Sequence, residues 1–326
     1  MQQATLGSRL GRLVADILED MRALLVVNPK ATVTTPGMRD VLAHALSSET
    51  KLDVVQTEAR GHATSLARQA VTDGLDVVVA LGGDGTVNEV VNGLLADGPG
   101  SGLPALAVVP GGNANVFARA LGLPDTAIEA TGHLLRALRD GTRRSVGLAT
   151  ADDRWFTFCA GLGLDAEVVR RVEQRRADGT KATPGLFVGQ GLQHFFLGAQ
   201  RREPAITVQA GDGEPERIGL ALVCNTTPWT YLGARPVQPC PDASFETGLD
   251  LFGIRRLRTV ATLRHLRQIL LRDPKLRGRD LLQLHDVEEF VLRADRPLAF
   301  QVDGDDVGDR TEVHFRAVPR ALDVVV

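Results

Sequence analysis

The run Ala80-Leu81-Gly82-Gly83-Asp84-Gly85-Thr86-Val87-Asn88-Glu89 constrains the fold more than any other part of the chain. It follows a short apolar run, Asp76 to Leu81, and opens a stretch with helical spacing, Val87 to Leu95. A tight strand-to-helix turn would account for a lone glycine pair. Glycines at 82, 83 and 85 do more. They let backbone N–H groups approach a polyphosphate, and the helix N-terminus that follows favours negative charge through its dipole and its unpaired donors. Asp84 lies inside that loop, where a carboxylate is useful beside phosphate only with a cation between them. The expected ligand is therefore a Mg-nucleotide. Its candidate contacts are Gly82, Gly83, Asp84, Gly85, Thr86, Asn88 and Glu89, with Asp84 on the metal side.

A second glycine turn, Pro110-Gly111-Gly112-Asn113-Ala114-Asn115, again joins an apolar run to a helical stretch, Ala114 to Leu121. Asn28-Pro29-Lys30 follows the run Ala23 to Val27, and Thr57 follows Leu52 to Gln56, just ahead of Gly61-His62-Ala63 and a helix to Thr72. These short Val/Leu/Ala-rich runs, with Leu103 to Val109, read as buried strands, and their alternation with helices predicts a mostly parallel sheet. Parallel strands carry their following loops on one edge, so Asn28, Pro29, Lys30, Thr57, Gly111, Gly112 and Asn113 join the candidate nucleotide contacts.

From Ser145 onward the texture changes to closely spaced strand-like runs: Trp155 to Cys159, Ala205 to Ala210, Arg217 to Cys224, Leu249 to Ile254, Glu288 to Arg293 and Leu298 to Val302. They predict a second, antiparallel domain, interrupted by helices at about Gly185 to Leu197 and Arg258 to Leu271. The expected division is an extension over 1–21, an α/β domain over 22–145, a strand domain over 146–311, and a final strand within 312–326 able to return to the first domain. A net charge of -3 argues against a protein that coats nucleic acid. Cys159, Cys224 and Cys240 form no C-x-x-C pair, which fits a reduced compartment. The opening segment carries Asp16, Glu19 and Asp20, unlike a secretory signal, and its stripe Leu6, Leu10, Leu13, Ile17 and Met21 reads as a packing or partner face. No stretch reaches the ~18 to 20 apolar residues of a membrane-spanning helix.

In combination, several motifs resemble the diacylglycerol kinase catalytic-domain family of lipid kinases. They are the Asn-Pro turn, T-x-x-x-G-H-A at 57 to 63, G-G-D-G-T-x-N-E, P-G-G-x-A-N-x-F-A-R at 110 to 119, Gly161-Leu162-Gly163-Leu164-Asp165-Ala166, Pro241-Asp242-Ala243 with Gly248-Leu249, and Gln301-Val302-Asp303-Gly304-Asp305. The resemblance implies an N-terminal Rossmann-like α/β domain, shared with NAD kinases, a C-terminal β-sandwich, and an active site between the two. It implies transfer of the γ-phosphoryl group of ATP, with Mg2+, to a lipid hydroxyl, diacylglycerol by default or a sphingosine-like acceptor. Asp303 then takes the proton and Asp305 joins the nucleotide contacts. A structural Mg2+ around Ser244, Thr247 and Leu249 is implied as well.

This chain departs from the family pattern in three places. Asn113 stands where Thr is usual, Val116 where Asp is usual, and Thr247 where the metal-binding Asp is usual. These departures keep open a catalytically silent lipid-binding homologue. An NAD kinase shares G-G-D-G-T, but its later glycine-rich segment leading to L-G-F-L is absent here. From Gly253 to Asp280, nine Arg and Lys face two Asp, with Val260, Leu263, Leu266, Ile269 and Leu270 interleaved at helical spacing. That pattern predicts an anionic membrane surface as partner and a cytoplasmic, peripherally bound protein, with a homodimer left open. Leu186, Phe187, Leu192, Phe195, Phe196 and Leu197 read as core, and His194, His265 and His285 have no metal spacing.

Overall fold

The computed structural model describes residues 20–32, 35–177, 204–271 and 274–326. The stripe from Leu6 to Ile17, the expected helix at Gly185 to Leu197, His194 and Arg272 lie outside them. The chain divides into two compact units, one running to Val146 and completed by Arg320–Val326, the other spanning Gly147–Pro319.

In the first unit, β1 (Arg22–Val27), β2 (Lys51–Gln56), β3 (Val77–Gly82) and β4 (Ala105–Pro110) alternate with α1 (Pro36–Ser47), α2 (His62–Thr72), α3 (Asp84–Leu94), α4 (Val116–Ala120) and α5 (Ala127–Asp140). The strands form a parallel sheet in the order β4-β3-β1-β2, with Val78 opposite Leu106 and Leu25 opposite both Val79 and Val54. Every residue of β3 and β4 is buried, as expected of strands covered on both faces. Leu25, Leu46, Leu81 and Leu106 are fully enclosed, each burial contributing about 2 kcal/mol. β2 corrects the sequence reading. It is an edge strand paired only with β1, and Lys51, Asp53, Val54 and Gln56 are exposed.

Two helices of this unit went unread although their caps are written in the chain. At the start of α1, Thr35 Oγ1 accepts from Met38 N at 3.2 Å, ahead of Pro36. At the start of α5, Thr126 Oγ1 accepts from Glu129 N and donates to Glu129 Oε2. Pro at the first position and a T-x-x-E box are both helix-start signals.

The second unit is strand-rich. β5 (Arg143–Ala151) leads into it, followed by β6 (Arg154–Phe156), β7 (Cys159–Leu162), α6 (Leu164–Ala177), β8 (Ile206–Gln209), β9 (Glu216–Ile218), β10 (Leu220–Cys224), β11 (Thr230–Leu232), β12 (Arg235–Val237), β13 (Leu249–Ile254), α7 (Thr259–Ile269), β14 (Leu281–Val287), β15 (Glu289–Val302) and β16 (Asp305–Val325). Strands β14-β13-β10-β7-β15-β16 lie side by side and antiparallel, and β8 pairs with β15 and β9. At the centre of the core Phe315 stacks on Phe290 at 5.2 Å and meets Phe156 and Phe300 edge-on, each at 6.2 Å.

Four expected strands change shape here. Trp155 to Cys159 is two strands, because the N–H groups of Thr157, Phe158 and Cys159 turn aside onto the carboxylate of Asp303. Arg217 to Cys224 breaks at Gly219, whose N–H bonds Ile254 O at 2.7 Å. Glu288 to Arg293 and Leu298 to Val302 are one strand, with the Asp295-Arg296-Pro297 stretch taken up by a register shift. The tail of β16 leaves this unit for the first, where Val324 pairs in parallel with Leu106.

Candidate functional site

In the first unit the loops after β1, β3 and β4 are tied together at the carboxyl edge of the sheet. Asn28 N donates to Leu81 O at 3.0 Å and Gly111 N to Gly82 O at 2.8 Å. The side chain of Asn28 spans two loops, donating from Nδ2 to Thr86 Oγ1 at 3.0 Å and accepting from Lys30 N at 2.9 Å. The two glycine turns touch backbone to backbone. A Cβ on Gly112 would lie 2.7 Å from Gly83 Cα, and one on Gly82 would lie 2.5 Å from Thr86 Oγ1. These glycines are therefore required by close approach. Helix α3 begins at Asp84; Thr86 N and Val87 N donate back to Gly83 O at 2.9 and 3.2 Å, so the N–H groups of Asp84 and Gly85 are the ones with no helical carbonyl to bond. Asp84 Oδ1 accepts from Phe117 N at 3.1 Å, linking the first turn of α3 to α4.

The candidate contacts sort by what they already do. Pro29, Lys30 and Asn113 are exposed, and Asn28, Gly83, Asp84, Gly85 and Gly112 are half-buried on the same loops. Thr57 is half-buried at the end of β2, its N–H donating to Val27 O at 2.8 Å. Thr86 and Asn88 are enclosed, Thr86 against Asn28 and Asn88 against Asn92. Glu89 caps α2, its two carboxylate oxygens accepting from Gly61 N at 2.9 Å and Ala63 N at 3.2 Å. Asn88 and Glu89 are thus engaged within the fold. Sequence reasoning missed the part played by Asn115. Its side chain accepts from Gly112 N and donates to Gly112 O, both at 2.9 Å, while its backbone holds φ 46°. An Asn three residues beyond a glycine pair is the signal for such a turn. Backbone donors at a helix start beside one carboxylate fit a magnesium nucleotide, because Mg2+ is usually held by one or two carboxylates and substrate phosphates.

In the second unit Asp303 and Gly304 form the two-residue turn between β15 and β16, with φ of 48° and 82° and Val302 paired with Asp305. The turn is not a solvated one. Asp303 is buried, and its carboxylate accepts four hydrogen bonds: from Thr157 N at 2.7 Å, Thr157 Oγ1 at 2.8 Å, and Phe158 N and Cys159 N at 3.0 Å. Burial pushes its carboxyl above the ordinary range, and these donors pull it back only in part. Both oxygens are engaged from within the fold, so Asp303 also fastens the turn. The next acids face outward. Asp305 sits 3.7 Å from Arg154 with its side chain a quarter exposed, and Asp306 pairs with Arg170 at 2.9 Å. Gln301 supports the turn, accepting from Gly304 N at 2.9 Å and donating to Asp165 Oδ2 at 2.7 Å. Burial pushes the Asp165 carboxyl up to about 6.

The segment at Ser244 to Leu249 does not fit a structural magnesium. Thr247 Oγ1 accepts from Ser244 N at 3.2 Å and lies 3.1 Å from Ser244 O, closing the turn on itself. Asp250, buried next to Leu249, accepts from Asp286 N at 3.1 Å and pairs with His285 Nδ1 at 2.8 Å. Among the described residues no group of three or more acidic, His or Cys side chains is placed to hold a metal ion.

Residues 22–151 match the diacylglycerol kinase catalytic domain family. A protein of Chromohalobacter salexigens named "Probable lipid kinase YegS-like" is 30% identical over 198 residues, 58% of this chain and 62% of that protein. The diacylglycerol kinase of Bacillus subtilis is 31% identical over 157 residues, 47% of this chain and 50% of that protein. The chain thus spans only half to about three fifths of the length of these curated relatives. A diacylglycerol kinase structure from Bacillus anthracis superposes with a TM-score of 0.68 at 19% identity, covering 93% of this chain and 96% of that one. An NAD kinase from Archaeoglobus fulgidus in complex with ATP shares the fold more distantly, with a TM-score of 0.51 at 12% identity over 93% of each chain. An α/β unit plus a strand-rich unit is therefore an architecture this chain has in common with both groups, and over residues 22–151 it is similar to the diacylglycerol kinase catalytic domain.

Proposed function

We propose that this chain is a lipid kinase that moves the γ-phosphoryl group of Mg-ATP to the hydroxyl of a lipid, with diacylglycerol as first acceptor. The observation that carries the reading is the pair of abutting glycine turns, Gly82–Gly85 and Gly111–Asn113, at the start of α3, with Asp84 on its first turn. The exposed and half-buried groups there, Asn28, Lys30, Gly83, Gly85, Gly112 and Asn113, hold the nucleotide, and Asp84 holds Mg2+. The bound metal neutralises phosphate charge. The chain's own work is to orient the phosphates by backbone N–H groups and to keep the loop edge rigid through the Asn28 and Asn115 bridges. Phosphoryl transfer rests mainly on positioning and charge, so a weak base suffices for the acceptor hydroxyl. Asp303 takes that part, with its buried carboxyl pushed above the ordinary range while it is held in the turn.

The test is purified protein with labelled ATP, Mg2+ and diacylglycerol in detergent micelles, followed by separation of labelled lipid. Labelled phosphatidic acid is the expected product. Asp84→Asn keeps an acceptor for Phe117 N but removes the charge. It is expected to lower turnover about 100-fold, a barrier change of about 2.7 kcal/mol, with the fold unchanged. Wild-type protein that labels no lipid, or an Asp84→Asn protein with near-normal turnover, overturns the reading.

A further inference from the structure

Helix α7 and its flanks present a surface that the phosphoryl-transfer site does not use. Residues Thr262, His265 and Ile269 recur every three or four positions and are buried, so they form the face that packs on the unit. Leu257, Ile269 and Leu281 belong to the cluster beneath, with Leu270 and Leu276 packed against it. The apolar residues at Val260, Leu263 and Leu266 are spaced three apart and lie on another side, where they are 82%, 41% and 40% exposed, followed by Leu271 at 47%. One helix therefore has two apolar faces. The single stripe expected from the sequence divides, with Ile269 turned inward and Val260, Leu263 and Leu266 turned to solvent.

The outer stripe is bordered by cations. Arg264 and Arg267 are exposed on the same helix, and Arg256, Arg258, Lys275, Arg277 and Arg279 are exposed on the segments before and after it. Among the described residues no salt bridge neutralises Arg256, Arg258, Arg264, Arg267, Arg277 or Arg279. Arg255, by contrast, is spent on Glu216 at 2.8 Å. Three exposed branched aliphatics cost free energy in water, and unpaired arginines around them repel one another. A surface that offers apolar depth and negative charge together relieves both.

We propose that the outer face of α7 docks on an anionic lipid bilayer, with Val260, Leu263 and Leu266 entering the headgroup–acyl boundary and Arg264, Arg267 and their neighbours meeting lipid phosphates. Charge complementarity selects this occupant over a second copy of the chain, which would bring a like-charged patch onto the face. The docking rests on exposure and charge alone and stands whether or not the chain phosphorylates a lipid.

Co-sedimentation of the full chain, without nucleotide, tests it on vesicles of mixed phosphatidylglycerol and phosphatidylcholine and on vesicles of phosphatidylcholine alone. Wild type is expected to pellet with the anionic vesicles, less so as salt rises, and to remain in solution with the neutral ones. Arg264→Gln with Arg267→Gln is expected to weaken anionic binding about tenfold, each arginine contributing up to about fivefold. Val260→Ser with Leu263→Ser and Leu266→Ser is expected to weaken it at least as much, with an unchanged urea midpoint because these side chains are already exposed. A Val260→Trp protein is expected to shift its fluorescence to the blue on anionic vesicles. Equal binding by wild type and both variants overturns the proposal. So does equal binding to neutral vesicles, or a dimer that the serine variant dissociates while vesicle binding is unchanged.

Discussion

Two turns of this chain pair aspartate with glycine at the end of a strand, and they use the pair in opposite ways. At Gly82–Gly85 the glycines are packed backbone to backbone against a second loop, and Asp84 contributes one oxygen to Phe117 N from a half-buried position. At Val302–Asp305 the aspartate is buried beneath four donors, and the acids that follow it face outward to arginines. The first turn keeps its polar groups near the surface because its shape is enforced by contact between backbones. The second is enforced by a charge, which must then be hidden. Two aspartates that motifs single out thus sit in different settings, one half-buried on a loop shaped by backbone contact and one buried beneath four donors.

The sharpest way to break that contrast is to remove each carboxylate and measure stability. Asp303→Ala strands three buried N–H groups and a hydroxyl, and is expected to cost about 4 kcal/mol in urea unfolding. Asp84→Ala loses the bond to Phe117 N and is expected to cost about 1 kcal/mol. Equal costs would erase the distinction, and an Asp303→Ala protein that is stable but inactive would make the Asp303 carboxylate a proton acceptor first and a fastener second. Next in size is Gly112→Ala, which puts a methyl 2.7 Å from Gly83 Cα, where only backbone can yield. About 2 kcal/mol of stability and most nucleotide binding should be lost, read by urea unfolding and calorimetric titration.

A third effect comes from Asp165 behind the Asp303 turn. Its pKa is raised from 3.8 to about 6, so between those values the folded protein holds more protons than the unfolded one. Stability attributable to this group is therefore largest at low pH and falls as pH rises from about 4 to 6, by about 3 kcal/mol. Asp165→Asn should flatten that part of the profile in unfolding measured at pH 4.5 and 7.5, and an unchanged slope would mean the group is ordinary. Smallest is Asn28→Ala, which removes the bridges to Thr86 and Lys30 and should cost about 1 kcal/mol, with weaker nucleotide binding.

What the amino-acid sequence reveals follows from how local each cause is. The glycine turns and the three inner parallel strands are legible because apolar runs and the residues that end them are neighbours in the chain. The edge position of β2 is not, since nothing in Leu52 to Gln56 says that only one side is paired. The role of Asp303 is hidden for the same reason, because its donors begin at Thr157, 146 residues earlier. In α7 the charge was readable, but which apolar residues turn inward depends on the cluster around Leu257 and Leu281. The capped starts of α1 and α5 were legible and went unread.

The passage of Arg320–Val326 into the first unit has a consequence for synthesis. A ribosome exposes β1 to β4 early, yet the partner of Leu106 on the outer edge of β4 is Val324, which emerges only after the whole second unit. Until then that edge is an open ladder of N–H and C=O groups, able to recruit another nascent chain. A protease cut or early stop just before Arg320 would leave the second unit's residues in place and injure the first unit instead. The segment acts as a late clasp, closing the first unit only once the whole second unit has been made.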